Sequence, residues 1–202
     1  MKSFKRNRHF RILSRKTVFR GYVSELEVLK IQTASGRRVE RELIHHPGAV
    51  VIIPKLPDGR LILVRQLRVS TRQRIWEFPA GTLEKGETVR ACADRELQEE
   101  TSWKAGRMRM VLEYYPTPGI STEKMYLFTA EKLRRVDGVH ADPDEELEVA
   151  IFSPAQMEQM IRRREIIDGK TILGFLFLKR YGAGGGGRSR NPRAPSQRSR
   201  PK

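Results

Sequence analysis

Short alternating runs of apolar and polar residues fill most of the N-terminal two-thirds of the chain. Residues 9–31, HFRILSRKTVFRGYVSELEVLKI, alternate loosely around a glycine, which predicts an antiparallel hairpin. ASGRRVERELI, residues 34–44, predicts a turn and a further strand. GAVVIIPKL and GRLILVRQL flank Pro57-Asp58-Gly59, and proline, aspartate and glycine together mark a tight turn. The expectation there is a strand hairpin. VVIIP is continuously apolar, as in a strand buried on both faces. MRMVLEYY and KMYLFTAEKL read as strands separated by a loop rich in Pro and Gly, and LEVAIF as a last strand.

Elsewhere the period lengthens. Val89, Ala93 and Leu97 recur every four residues, with Cys92 beside them, and predict a helix within residues 87–101. Ser153-Pro154 opens a second helix that runs through MEQMIRRR, with serine as cap and proline at the first position. Asp168 caps a final helix containing Ile172, Phe175, Leu176 and Leu178. Strands and helices interleave irregularly, so the expected class is α+β, a mixed α/β/α sandwich with an N-terminal antiparallel strand-rich segment. The expected boundaries are 1–48 for that segment, 49–181 for the main domain and 182–202 for a basic tail. The tail holds Gly, Ser, Pro and Arg, too little apolar surface to offset its ordering entropy, and is expected to be disordered.

Charge refines this division. The 202-residue chain has a formal net charge of +16. Residues 1–20 hold eight Lys or Arg and residues 182–202 hold six, with no acid in either, so the middle is left with +2. Basic ends of this kind serve solubility or loose contact with nucleic acid or another polyanion. No aromatic residue sits among the tail's arginines, which argues against base stacking there. A single cysteine, Cys92, excludes an internal disulfide and suits a reducing cytoplasm. The start lacks a signal-peptide core, and the acid-free stretch to residue 24 passes almost at once into a strand pattern rather than a presequence. No apolar run approaches the roughly 20 residues of a membrane helix.

Against this near-neutral middle, DRELQEE at residues 94–100 concentrates four carboxylates. On a helix Glu96, Glu99 and Glu100 lie within an arc of roughly 100°. Like charges at that spacing repel, and they fall toward the helix C-terminus, where the macrodipole disfavours anions. Two readings stand: a solvated helix face with basic neighbours, or an oxygen-ligand set for a hard divalent cation. The preceding Pro79-Ala80-Gly81 and the loop containing Gly86 favour the second, because glycine lets backbone approach a ligand closely.

Gly81, Glu87 and the run Arg95-Glu96-Leu97-x-Glu99-Glu100 together resemble the Nudix box. Seven of its nine specified positions match over a span of 23 residues. The departures are Ser102 and Trp103, where the family carries glycine and an aliphatic residue. The family glycine marks a helix end that often needs a left-handed residue, so Ser102 is expected to cost stability or alter the exit angle. Trp103 requires different local packing.

The resemblance implies a Nudix fold and hydrolysis of a nucleoside diphosphate linked to another moiety, with Mg2+ or Mn2+. It implies metal ligation by Glu96, Glu99, Glu100 and the carbonyl of Ala80, with Arg95 and Glu87 holding the loop on the helix at Gly81. RELIHHPGAVVIIPKLPDGRLILVRQLR, IWEFPAGTLEKGE, YYPTPGISTEKMYLFTA and REIIDGKTILGFLFL extend the similarity toward the ADP-ribose pyrophosphatase branch, over about residues 40–180. That branch implies cleavage of ADP-ribose to AMP and ribose 5-phosphate. GDP-mannose or NADH hydrolysis, and a non-catalytic ADP-ribose-binding module, are the alternatives. It implies substrate contacts from Arg68, Arg65, Glu77, Gly119, Ser121 and Glu123. The general base would be Glu145 or Glu146 in the acidic loop with Asp142 and Asp144, or Glu99 of the box. It also implies a homodimer built on the N-terminal strands, where Phe19 or Tyr22 offers an adenine stack. His45 and His46 have no metal-ligand spacing with other His or Cys, which argues against zinc.

Overall fold

A computed structural model describes residues 9–137 and 147–182. The chain divides into two compact units: the residues up to Pro47 with Thr117–Glu123, and Gly48–Pro116 with the residues from Lys124 onward.

The first unit is an antiparallel sheet of β1 (Phe10–Arg20), β2 (Glu25–Thr33) and β3 (Arg38–His45). The predicted hairpin and the third strand are both present. Glu27 is buried, and accepts hydrogen bonds from Arg15 at 3.1 Å and His45 at 2.8 Å. His45 is thus a partner for a buried carboxylate. The Pro/Gly loop segment Thr117–Glu123 joins this unit: Ile44 N–H donates to Ile120 at 2.8 Å, and Thr122 N–H returns to Ile44 at 2.9 Å.

The second unit contains β4 (Ala49–Pro54), β5 (Leu61–Arg68), β6 (Gln73–Glu77), β7 (Ala80–Thr82), α1 (Val89–Thr101), β8 (Trp103–Tyr114), β9 (Met125–Arg135), β10 (Glu148–Phe152), α2 (Pro154–Arg162) and α3 (Gly169–Tyr181). One sheet has the order β7-β4-β9-β8, parallel between β4 and β9 and otherwise antiparallel. A second has the order β10-β5-β6, all antiparallel.

β4 is the axis of this unit, and all six of its residues are buried. Its side chains alternate between two cores. Val50 and Ile52 pack with Val89, Cys92, Ala93 and Leu97 of α1. Ala49, Val51 and Ile53 pack with Leu61, Leu63, Phe78, Met157 and Phe175. The continuously apolar VVIIP run is therefore a two-faced strand, as expected. α3 reaches this second core through Gly174, where a Cβ would meet Leu127, Ile53 and Phe78 at 3.3–3.4 Å.

The expected β4–β5 hairpin does not form. The turn is real: Gly59 has φ 88°, its N–H donates to Leu56, and Asp58 accepts the Arg60 N–H at 3.0 Å. The strands it joins pair elsewhere, apart from a single bridge between Lys55 and Leu61. Both edges of β4 are taken by β7 and β9, so the turn carries the chain from one sheet to the other.

The helices follow their sequence signals. Thr88 caps α1 by accepting the Ala91 N–H at 3.1 Å. Ser153 and Gln156 form a reciprocal capping box on α2. Asp168 caps α3 by accepting the Thr171 N–H at 2.9 Å. At the end of α1, Ser102 is left-handed, with φ 57° and ψ 31°, and donates its N–H to Gln98 at 2.8 Å. A side chain makes that conformation costly, by roughly 1–2 kcal/mol, where glycine pays nothing. Ser102→Gly is expected to raise stability by about 1 kcal/mol and Tm by about 2–4 °C. Thermal unfolding checks this, and an unchanged or lower Tm would mean that serine is not strained there.

Candidate active site

Two carboxylates of α1, Glu96 and Glu99, are gathered by one guanidinium. Arg95 Nη1 donates to Glu96 at 2.7 Å and Glu99 at 2.9 Å. Its Nε and Nη2 donate to the two oxygens of Glu87 at 3.0 and 3.1 Å. Nη2 also reaches the Thr82 carbonyl at 3.4 Å. Arg95 thereby ties the loop before the helix to the carboxylate face. Burial is the largest influence on Glu87 and opposes its ionisation, but the Arg95 bond, the Glu84 N–H and the Arg95 charge together outweigh it and hold the carboxyl below its ordinary range. Arg95 in turn is raised, first by its bond to Glu87. Asp94 stands apart, paired with Arg90 at 2.6 Å on a solvated part of the helix.

Glu100 is buried beneath this cluster, accepting the Ala80 N–H at 3.0 Å and facing Gln66 Nε2 at 3.5 Å. β7 pairs Ala80 with Val51, so the central strand fixes the Ala80–Gly81 backbone against α1. A Cβ on Gly81 would stand 1.8 Å from Glu96 Oε1 and 2.0 Å from its carboxyl carbon. Only glycine leaves room for that carboxylate. Among the described residues no three acidic, His or Cys side chains already form a metal-binding group. The donor chemistry nevertheless fits a hard divalent cation: Glu96 stands against Gly81, Glu100 bonds the Ala80 N–H, and Glu99 shares Arg95 with Glu96. Cys92 lies beneath the loop, and burial pushes its thiol up, with Glu87 and Glu96 adding to the shift. It is a packing residue there.

A second buried network lies on β5, β6 and α3. Arg68 grips Glu77 with two bonds of 2.7 Å, and Lys170 donates to the same carboxylate. Lys170 also reaches Asp168 at 2.9 Å. Burial alone would push Glu77 up, but Arg68 and Lys170 outweigh it and hold the carboxyl below its ordinary value. Arg65 stacks over Trp76 at 5.6 Å and lies 3.6 Å from Glu148. Gly119, Ser121 and Glu123 belong to the first unit, with β3. Glu145 and Glu146, with Asp142 and Asp144, lie outside the described residues. Sequence reasoning missed Gln66 and Lys170. Gln66 carried no signal beyond lying between Arg65 and Arg68, whereas Lys170 sits two residues past a recognised cap.

A NUDIX domain model matches residues 45–172, and the chain belongs to that family. It is 33% identical over 168 residues to an ADP-ribose pyrophosphatase of Bacillus subtilis, covering 83% of this chain and 91% of that protein. It is 32% identical over 163 residues to a methanol dehydrogenase activator of Bacillus methanolicus, covering 80% and 88%. A crystal structure of an ADP compounds hydrolase matches with a TM-score of 0.77 at 24% identity, over 92% of this chain and 100% of that one, and shows the same fold. The α+β fold and the family expected from the box are thus both found.

Glu77 gives this network a pH signature. Because its native pKa is depressed, its contribution to stability is complete above the ordinary value of 4.5 and is lost as pH falls through the native value. Glu77→Gln is expected to cost about 3 kcal/mol at neutral pH, since two cations lose a buried partner. Thermal unfolding across pH should show the gap to the unmodified chain narrowing below about pH 4. A gap that stays constant into acid would remove Glu77 as the source.

Proposed function

We propose that this chain hydrolyses the diphosphate bond of ADP-ribose, or of a related nucleoside diphosphate sugar, with Mg2+ or Mn2+. From ADP-ribose the products are AMP and ribose 5-phosphate. The observation that carries this reading is the intact carboxylate cluster of α1, with Glu96 seated on Gly81 and Glu100 on the Ala80 N–H. A non-catalytic binding module has no need of all three acids. The likeness to an ADP-ribose pyrophosphatase supports the substrate class.

Glu96, Glu99, Glu100 and the Ala80 carbonyl are the groups that would hold the cation. The chemistry it supplies when bound is charge neutralisation at the diphosphate and activation of water. Arg95 and Glu87 keep the loop and helix in register, so the carboxylates need not reorganise for each turnover. Arg68 offers the diphosphate the guanidinium donors that Glu77 leaves unused, and Arg65 is the second candidate on the same strand. The water oxygen bonds to one phosphorus, the bridging P–O bond breaks, and the bridging oxygen leaves with the other phosphate. Glu99 is the described acid proposed to take the water's proton, supported by its side-chain exposure of 39% against 12% for Glu96. Glu145 and Glu146, which precede β10 in the sequence, remain proposed bases on the family pattern. Gly119, Ser121 and Glu123 are kept as substrate contacts on the family pattern alone.

Three further readings accompany this one. The chain forms a homodimer through its N-terminal sheet, supported by the exposed Phe10, Leu13, Val18, Phe19 and Tyr22. It works in the cytoplasm, supported by a lone, buried, free Cys92. Its basic ends make weak polyanion contact, supported by their charge alone. No helix among the described residues is long and apolar enough to cross a membrane.

The test is a hydrolysis screen with Mg2+ over ADP-ribose, GDP-mannose, NADH and a 5′-triphosphorylated RNA. AMP release from ADP-ribose is expected, falling roughly a hundredfold or more in Glu100→Gln. Turnover of another substrate alone would keep the carboxylate site and discard ADP-ribose. Tight ADP-ribose binding without hydrolysis would favour the binding module. Gly81→Ala should raise the Mg2+ concentration for half-maximal rate about tenfold, by displacing Glu96. A Mg2+ titration unchanged by this substitution would separate Glu96 from the metal.

A further inference from the structure

Glu77 and Phe78 on one side and Asp168, Lys170 and Thr171 on the other close a buried ring of hydrogen bonds. Phe78 N–H donates to Thr171 Oγ1 at 2.8 Å. Thr171 Oγ1 donates to Asp168 Oδ2 at 2.6 Å. Asp168 Oδ1 accepts from Lys170 Nζ at 2.9 Å, and Lys170 Nζ donates to Glu77 Oε2. The ring returns to the residue beside its start. Glu77 is 1% exposed and Thr171 is fully buried, while Lys170 and Asp168 keep 18% and 14% of their side chains exposed, so most of the ring is shielded from water.

Arg68 hangs on the ring side-on. Its Nε and one Nη2 proton are spent on Glu77, which fixes the plane of the guanidinium. Arginine has five N–H donors, so the far edge keeps three. Lys170 bonds the same Glu77 oxygen that Arg68 Nη2 uses, and Asp168 bonds Lys170, so the Glu77 carboxylate is fixed by more than the arginine. Arg68 also feels the charge of Glu100, which places it near the carboxylate face of α1.

We propose that Lys170, braced by Asp168 and Thr171, is a positioning residue that holds Glu77 so that Arg68 presents its free edge to the diphosphate. This rests on the hydrolase reading above for its substrate. It assigns a task to the start of α3, which on sequence grounds is only a capped helix. A purely structural role predicts something else: loss of Lys170 would lower stability and kcat together and leave affinity alone.

The experiment uses the full chain with Lys170→Met, Lys170→Arg and Lys170→Gln. Lys179→Met is the control, since it removes an exposed pair with Glu158 at 2.6 Å outside this network. Two readouts are taken: kcat and KM for ADP-ribose with Mg2+, and Kd for ADP by calorimetry in EDTA. Lys170→Met is expected to raise KM and the metal-free Kd about tenfold while kcat stays within about twofold, because the lost interaction serves ground state and transition state alike. Lys170→Arg should restore most of the affinity. An unchanged Kd in Lys170→Met overturns the proposal, as does a fall in kcat and Tm with Kd intact. If the methionine variant does not fold, Lys170→Gln decides, since it keeps a hydrogen-bonding side chain without the charge. If the unmodified chain binds ADP but turns over nothing, the hydrolase reading falls and the Kd comparison still decides Lys170. If it binds no ADP, both fall.

Discussion

The site depends on a single guanidinium. Three acids on one helix face, toward the end where the dipole already disfavours them, form an arrangement that a free helix would shed. Arg95, in the same helix, makes it tenable by bonding Glu96, Glu99 and, across the loop, Glu87, while Glu100 takes the Ala80 N–H. The carboxylates are thus held in place before any ligand arrives. The Glu87 bond also fixes the distance between loop and helix, which is what allows Glu96 to occupy the space beside Gly81. A lysine could supply the charge but not the fork that reaches three acids at once.

That local order needs a rigid base, and β4 provides it. With one face on α1 and the other on the core reached by α3, this strand couples the carboxylate helix to the Arg68–Glu77–Lys170 network. β7 pairs with β4, so Ala80 is set by the same strand that packs Val50 and Ile52 against α1. The site therefore rests on elements whose side chains are buried.

Much of this was legible in the sequence, and the misses have physical causes. α1 was clear because its apolar residues repeat at helical spacing and its acids break the rules of helix stability. The caps at Ser153 and Asp168 were clear because capping is local chemistry within four residues. The β4–β5 pairing was misread because a turn motif reports the bend, not which strands lie beside it. β6 and β7 went unseen because they are only five and three residues long, with Pro79 between them and Gly81 inside β7, and only their partners make them strands. The parallel pairing of β4 with β9 joins segments far apart in the chain, and no local pattern encodes that. Lys170 was passed over for the same reason: its partner Glu77 is 93 residues away.

The departures at Ser102 and Trp103 bear on whether the box is functional. A degenerating site would be expected to lose its ligands first, since nothing in folding rewards three clustered acids. Here the reverse is seen. The positions proposed to ligate the cation are intact, and the altered ones are those that end the helix. Ser102 still adopts the left-handed turn that glycine would, at some cost in strain. Trp103 opens β8 opposite Arg135, whose guanidinium stacks 4.9 Å from its ring. Such a stack contributes about 0.5–1 kcal/mol, comparable to the strain at the preceding residue. The helix exit is made here by a left-handed serine and a stacked tryptophan, which leaves Glu99 and Glu100 where the proposed chemistry needs them.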